Sequence, residues 1–164
     1  MTEKDQSKGK DQSTGKDQLS EKDPLGETQP LDIVLAEDDK DMALLNQYVL
    51  EAAGHHVEIA ADGTKALDAV RKTEPDLLIL DMEMPRADGM EVLEKLRAEP
   101  DTAEQPVIVM TNRSLSEGDH RRLRRLGVLD LLNKWKIDPK VLVGWVRGWA
   151  ASHIRRYSPR PKSR

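Results

Sequence analysis

Four short apolar runs along the chain each end abruptly in polar residues. Leu31-Asp-Ile-Val-Leu-Ala36 is followed at once by Glu37, Asp38 and Asp39, and Asp76-Leu-Leu-Ile-Leu80 by Asp81. Val107-Ile-Val-Met110 runs into Thr111 and Asn112, and Val128 to Leu132, broken by Asp130, into Asn133 and Lys134. Apolar runs of this length between turn signals predict strands covered on both faces, as in a parallel sheet. Pro75, Pro85 and Gly89 punctuate the central run. His56 to Ala60 is a fifth candidate, an edge strand by its pattern, with Val57 and Ile59 on one face.

Helical periodicity fills the intervals. Asp39 or Asp41 can cap a first helix running to Ala53, with Leu44, Leu45, Tyr48, Val49 and Ala52 on one face and Gly54 as its stop. Asp62-Gly-Thr64 opens a second, with Ala66, Leu67 and Val70 inward, ended by Pro75. Asp88 or Gly89 starts a third carrying Met90, Leu93 and Leu96, after which Pro100 and Pro106 bracket a loop. Ser116 with Asp119 resembles a capping box for a fourth helix closed by Gly127, and Asp138-Pro139 supplies an N-cap and first-turn proline for a fifth. Five strand–helix units in series predict an α/β fold with right-handed crossovers. In such open sheets ligands bind beyond the carboxyl ends of the strands, where the acids, the hydroxyl and the lysine would gather. One acid after one strand means little, because a helix cap or a solvated turn residue reads the same way; four polar strand ends are a pattern.

Composition narrows this picture. With 37% hydrophobic residues and no Phe, the core must rest on Leu, Val, Ile, Ala and Met. The lack of cysteine excludes a disulfide framework and a thiolate zinc site. No stretch approaches the roughly 20 apolar residues of a membrane span, and the first residues lack the apolar segment of a signal peptide. A cytoplasmic location is expected. Residues 1–30 repeat a six-residue theme (Lys4-Asp-Gln-Ser, Lys10-Asp-Gln-Ser, Lys16-Asp-Gln-Leu, Lys22-Asp-Pro-Leu). Such a segment buries too little to offset about 1–2 kcal/mol of backbone entropy per ordered residue, so a disordered tail is expected. The domain proper is placed at 31–151, and residues 152–164 form a basic tail, with Arg155, Arg156, Arg160, Lys162 and Arg164 and no acid. Five charges without a folded reader would bind nucleic acid unselectively, so nucleic acid is not an expected partner.

Across residues 31–151 the sequence resembles the receiver domain of bacterial two-component response regulators. Glu37 and Asp38 match that family's acidic pair, Asp81 its phosphorylated aspartate, Thr111 its switch hydroxyl and Lys134 its lysine. The resemblance implies a flavodoxin-like (βα)5 doubly wound sheet of strand order 2-1-3-4-5, and a phosphoryl group accepted by Asp81 from a histidine kinase or phosphotransfer protein. Gathered carboxylates need a counter-charge, and oxygen ligands in an incomplete cage suit Mg²⁺ better than Ca²⁺. The expected ligands are Glu37 through a water, Asp38, Asp81 and, from the resemblance alone, the backbone carbonyl of Glu83. Lys134 and Thr111 would each take a phosphoryl oxygen. A phosphoacceptor that assists its own Mg²⁺-dependent phosphorylation and dephosphorylation is implied, not an enzyme with a separate substrate.

The sequence departs from the family in several places. Trp135 stands where a proline usually follows the lysine, and Leu131 occupies the position of the aromatic switch residue. Asn112 replaces a small residue after the threonine, and Glu83 and Arg113 fall at variable positions where they could pair across the site mouth. These departures keep open a receiver-fold adaptor that works without phosphorylation. An aspartate-based phosphatase of the haloacid dehalogenase kind, which Asp81-Met-Glu83 resembles faintly, would need its nucleophile on the first strand. No length remains after the fifth helix for an effector domain, so the expected readout is protein contact. A downstream target or a dimer would use the fourth helix, fifth strand and fifth helix, where Arg121, Arg122, Arg124, Arg125, Trp145 and Trp149 lie.

Overall fold

The computed structural model describes residues 29–153. Of the tails expected at 1–30 and 152–164, residues 1–28 and 154–164 lie outside the described residues, while residues 152 and 153 belong to the last helix. Five strands, β1 (Asp32–Ala36), β2 (His56–Ala60), β3 (Leu77–Asp81), β4 (Val107–Thr111) and β5 (Asp130–Asn133), alternate with five helices. These are α1 (Lys40–Ala52), α2 (Gly63–Thr73), α3 (Gly89–Ala98), α4 (Glu117–Arg125) and α5 (Pro139–His153). All pairings are parallel and the strand order is β2-β1-β3-β4-β5, the flavodoxin-like arrangement expected from the sequence.

The central strands divide their side chains between two cores. Leu78 and Leu80 of β3 face Ala66, Val70, Val92, Leu93, Leu96 and Leu123 from α2, α3 and α4. Leu77 and Ile79 face Leu50 of α1 and Leu142, Val146 and Ala150 of α5. Each full side-chain burial of this kind contributes about 1.5–3 kcal/mol, which explains why β3 and β4 read as unbroken apolar runs. Helix starts follow their polar caps. Asp39, Asp62, Asp88 and Ser116 each accept backbone N–H groups of the first turn, and Ser116 with Asp119 forms a full capping box. Gly89 is required by close packing, because a Cβ there would sit 2.8 Å from the Met82 Cα.

The expected apolar face of α1 is not the one the sheet uses. Leu44, Leu45 and Tyr48 are 58%, 46% and 73% exposed, Ala52 is exposed, and only Val49 of that stripe contributes to packing. The buried stripe is Ala43, Asn46 and Leu50. Two stripes at helical spacing overlap in this segment, offset by about one residue, or roughly 100° of rotation. The Gln47 amide donates to the Val57 carbonyl at 3.1 Å, and the small Ala43 allows close approach. The register thus does not follow apolar count, and the buried Asn46 amide nitrogen has no partner among the described residues. The fifth strand is also shorter than expected, starting at Asp130, after Leu129 donates to the Val107 carbonyl.

His55 joins α1 to the first strand. The Leu31 N–H donates to its Nδ1 at 3.3 Å, and the ring is 3% exposed. Burial, with the nearby charge of Arg147, lowers its pKa. The native state therefore favours the neutral ring, and that contribution is complete above the ordinary value of 6.5 and lost as pH falls below it. Denaturant titrations should show the wild type losing more stability from neutral to mildly acidic pH than His55→Gln, whose amide oxygen can still accept from Leu31. Equal slopes in the two proteins would discount the histidine.

Candidate functional site

The strand ends bring chemistry to one edge of the sheet. Beyond β1 the Glu37 N–H donates to the Ala60 carbonyl at 3.0 Å, which keeps the chain aligned for one further residue. The Glu37 side chain is thereby turned into the molecule and buried, whereas Asp38 is exposed. Asp39 is committed to capping α1, accepting from the N–H groups of Asp41 and Met42 at 2.9 and 3.0 Å. Asp81 is the last residue of β3 and is buried; its Oδ1 accepts from the Glu83 N–H at 3.1 Å. Carboxylate oxygens of Glu37, Asp38 and Asp81 lie within 4.8 Å of one another.

Lys134 enters this cluster from beyond β5. Its Nζ is 2.5 Å from Glu37 Oε2 and 2.6 Å from Asp81 Oδ2, and its side chain is only 7% exposed. Burial works against the ammonium, but hydrogen bonds and charge from Asp81 and Glu37 outweigh it and raise the lysine pKa. Burial also raises the Glu37 pKa, against the favourable contacts with Lys134, and the Asp81 charge adds to the rise. One ammonium cannot balance three acids. The donor set is all oxygen and partly open to solvent through Asp38, so it can hold a hard divalent ion.

Thr111 stands at the end of β4, in register with Asn133. It is buried, and its Oγ1 accepts from the Arg113 N–H at 3.1 Å. The Lys134 N–H donates to the Thr111 carbonyl at 3.2 Å, tying the lysine loop to the threonine strand. A second tie was missed in the sequence. The Trp135 N–H donates to Asn112 Oδ1 and Asn133 Oδ1, both at 3.0 Å. The signal was present, because a residue other than proline after the lysine carries an N–H that needs an acceptor. The Trp135 ring itself is 83% exposed. Glu83 and Arg113 form no ion pair with each other; the Arg113 charge acts on Asp119 instead. Arg86, in the loop after β3, takes a left-handed φ of 69° and pairs with buried Asp62 at 2.7 Å.

A parallel five-stranded sheet with buried acids and a lysine at its carboxyl edge defines a receiver-type fold. Residues 33–147 match the family described as response regulator receiver domain, and the chain belongs to it. The response regulator MprA of Mycobacterium avium (strain 104) is 41% identical over 86 residues, covering 52% of this chain and 37% of that protein. The match thus spans little more than a third of the length of such curated relatives. Among solved structures, a putative response regulator from Chloroflexus aurantiacus J-10-fl is 30% identical with a TM-score of 0.66, covering 75% of this chain and 99% of the other. A CheY-like receiver domain protein from Methanospirillum hungatei JF-1 shares the fold at a TM-score of 0.71 and 21% identity, covering 79% of this chain and all of that one. Receiver domains are phosphoacceptors rather than conventional enzymes. No helix among the described residues is long and apolar enough to cross a membrane.

Removing one partner of a buried ion pair costs about 3–5 kcal/mol. Lys134→Met should lower the unfolding free energy in EDTA by about 3 kcal/mol at neutral pH. The deficit should shrink as Mg²⁺ is added and as acid protonates Glu37. A deficit unaffected by both would mean that the lysine acts through packing alone.

Proposed function

We propose that Asp81 accepts a phosphoryl group from a phosphohistidine on a histidine kinase or phosphotransfer protein, in the cytoplasm. The observation that carries this reading is the Lys134 ammonium seated on Asp81 inside an acidic cluster suited to a divalent ion. Mg²⁺ fits the all-oxygen donor set, with Asp38, Asp81, the Glu83 carbonyl and, through a water, Glu37 as ligands. When bound, it neutralises the acids and draws charge from a phosphoryl oxygen. An Asp81 carboxylate oxygen forms a bond to phosphorus as the bond from phosphorus to the imidazole nitrogen breaks. The nitrogen keeps the electron pair and, with the other ring nitrogen of the phosphohistidine carrying a proton, the histidine leaves as neutral imidazole. Lys134 transfers its ammonium from the Asp81 carboxylate to a phosphoryl oxygen. Thr111 turns its hydroxyl from the Arg113 amide towards another, with backbone amides near Asn112 assisting.

The response should travel through the ties between the two loops rather than through an aromatic rotamer. Leu131 is aliphatic, half-buried and packed on the core. Movement of Thr111 carries Asn112, which holds the Trp135 N–H. A downstream protein, or a second copy, would read the α4–β5–α5 face. Trp145 and Trp149 on that face are half-buried against the core, and Trp145 is anchored by its indole N–H on Asp130 Oδ2 at 2.6 Å. The arginines of α4 are therefore its more accessible contacts. A phosphorylation-independent adaptor is the second reading, favoured by Leu131 and by a lysine already satisfied by two acids.

Incubation with acetyl phosphate and Mg²⁺ should label the wild type and leave Asp81→Asn unlabelled. Equal labelling of the variant would refute the assignment, and no labelling with small-molecule or protein donors would select the adaptor. In Asn112→Ala, labelling should persist within a few-fold. The Trp135 indole resonance, which should shift on adding beryllofluoride to the wild type, should lose most of that response in the variant.

A further inference from the structure

Among the described residues other than glycine, two take a positive φ, Glu74 at 45° and Arg86 at 69°. Glu74 is the C-cap of α2, where a left-handed residue is ordinary. Arg86 closes no helix. It lies within the loop that joins β3 to α3, and a Cβ makes its backbone conformation costly. The Ala87 N–H donates to the Pro85 carbonyl at 2.9 Å, so Arg86 is the centre of a three-residue turn. With a positive φ at its centre, such a turn is the rare and strained kind. Glycine would relieve that strain, yet the chain carries an arginine there.

The side chain supplies a reason. Arg86 Nη1 meets Asp62 Oδ2 at 2.7 Å. Asp62 is 2% exposed, and its other oxygen caps α2 by accepting from the Lys65 N–H at 2.8 Å. One buried carboxylate therefore joins the start of α2 to the loop after β3. Gly63 brings the two segments together beside it, because a Cβ there would lie 2.7 Å from that of Ala87. The ends of the loop are held separately, by the Glu83 N–H on Asp81 Oδ1 and the Gly89 N–H on the Met82 carbonyl, both at 3.1 Å. The middle is held from α2.

We propose that Asp62 and Arg86 are positioning residues for the divalent ion. By clamping the strained turn against α2, they fix the segment that starts with the Glu83 carbonyl, a ligand in the proposed Mg²⁺ site. The inference rests on the reading of Glu37, Asp38 and Asp81 as that site; neither Asp62 nor Arg86 belongs to the acidic cluster. Arg86 is itself a cation, and its bare charge would repel another.

That opposition separates a clamp from simple electrostatics. Charge alone predicts that Arg86→Gly tightens Mg²⁺ binding and that Asp62→Asn weakens it. A clamp predicts that both weaken it, although asparagine still caps α2 and glycine suits the turn. Calorimetric titration of the full chain and its variants with Mg²⁺, at fixed ionic strength, should show each single variant about tenfold weaker. The double variant should be no weaker than either single one, since all three lose the same contact. The clamp is overturned if Arg86→Gly binds Mg²⁺ as tightly as the wild type or more tightly. It is equally overturned if the two losses multiply in the double variant. A wild type that takes up no Mg²⁺ would refute the metal site itself, and the clamp with it.

Discussion

Everything at the working edge of this sheet depends on one ammonium reaching across a strand. Glu37 and Asp81 stand on adjacent strands, but Lys134 follows β5, and β4 lies between β5 and β3. Parallel strands are about 4.8 Å apart, so the lysine stem must pass over the tip of β4 to place Nζ between the two acids. That geometry accounts for the residue at that tip. Thr111 ends β4 with a short side chain bonded back to its own loop; a long one would occupy the path of the lysine. The Lys134 N–H on the Thr111 carbonyl fixes where the stem begins. Acid pair, hydroxyl and lysine are therefore parts of one steric arrangement as well as one electrostatic one.

The same arrangement makes the site responsive. A buried pair gains little over apolar packing but is costly to break on one side only. Any group that binds Asp81 must therefore supply a new anionic partner for Lys134 and a counter-charge for the acids. A phosphoryl group with a divalent ion supplies both, while an anion alone or a cation alone supplies one. The two loops that close over the site are held together by Lys134 on Thr111 and Trp135 on Asn112. On the proposed function, displacement of one loop would reach the other through these bonds without a rotating aromatic ring.

How far the sequence could be read depended on whether burial or close contact set the structure. The polar residues that end β1, β3 and β4 were legible because each apolar run stops abruptly at them, although Glu37, Asp81 and Thr111 are themselves buried. Helix starts at Asp62, Asp88 and Ser116 were legible because a cap is a local interaction between near neighbours. The inner face of α1 was not. Asn46 is buried there while Leu44, Leu45 and Tyr48 face outward, a register that depends on long-range contacts such as the Gln47 bond to the Val57 carbonyl of β2. The acceptor for the Trp135 N–H was illegible for a similar reason, since Asn112 meets it only once β4 and β5 are paired.

The two halves of the site differ in how firmly they are held. β3 is buried along its whole length and all of β1 but Asp32 is buried, whereas β5 has four residues of which only Leu132 is buried. Local opening costs least where few apolar contacts would be lost. The carboxylates thus stand on the stiff centre of the sheet, and the lysine comes from its softer edge. A nucleophile gains from being fixed, because transfer requires its oxygen in line with the leaving group. A counter-ion gains from mobility, because it has to leave one anion for another as charge moves. On the proposed function the burial gradient across the strands matches this division of labour: Asp81, as the reacting group, would sit where the chain yields least, and the charge of Lys134 where it yields more.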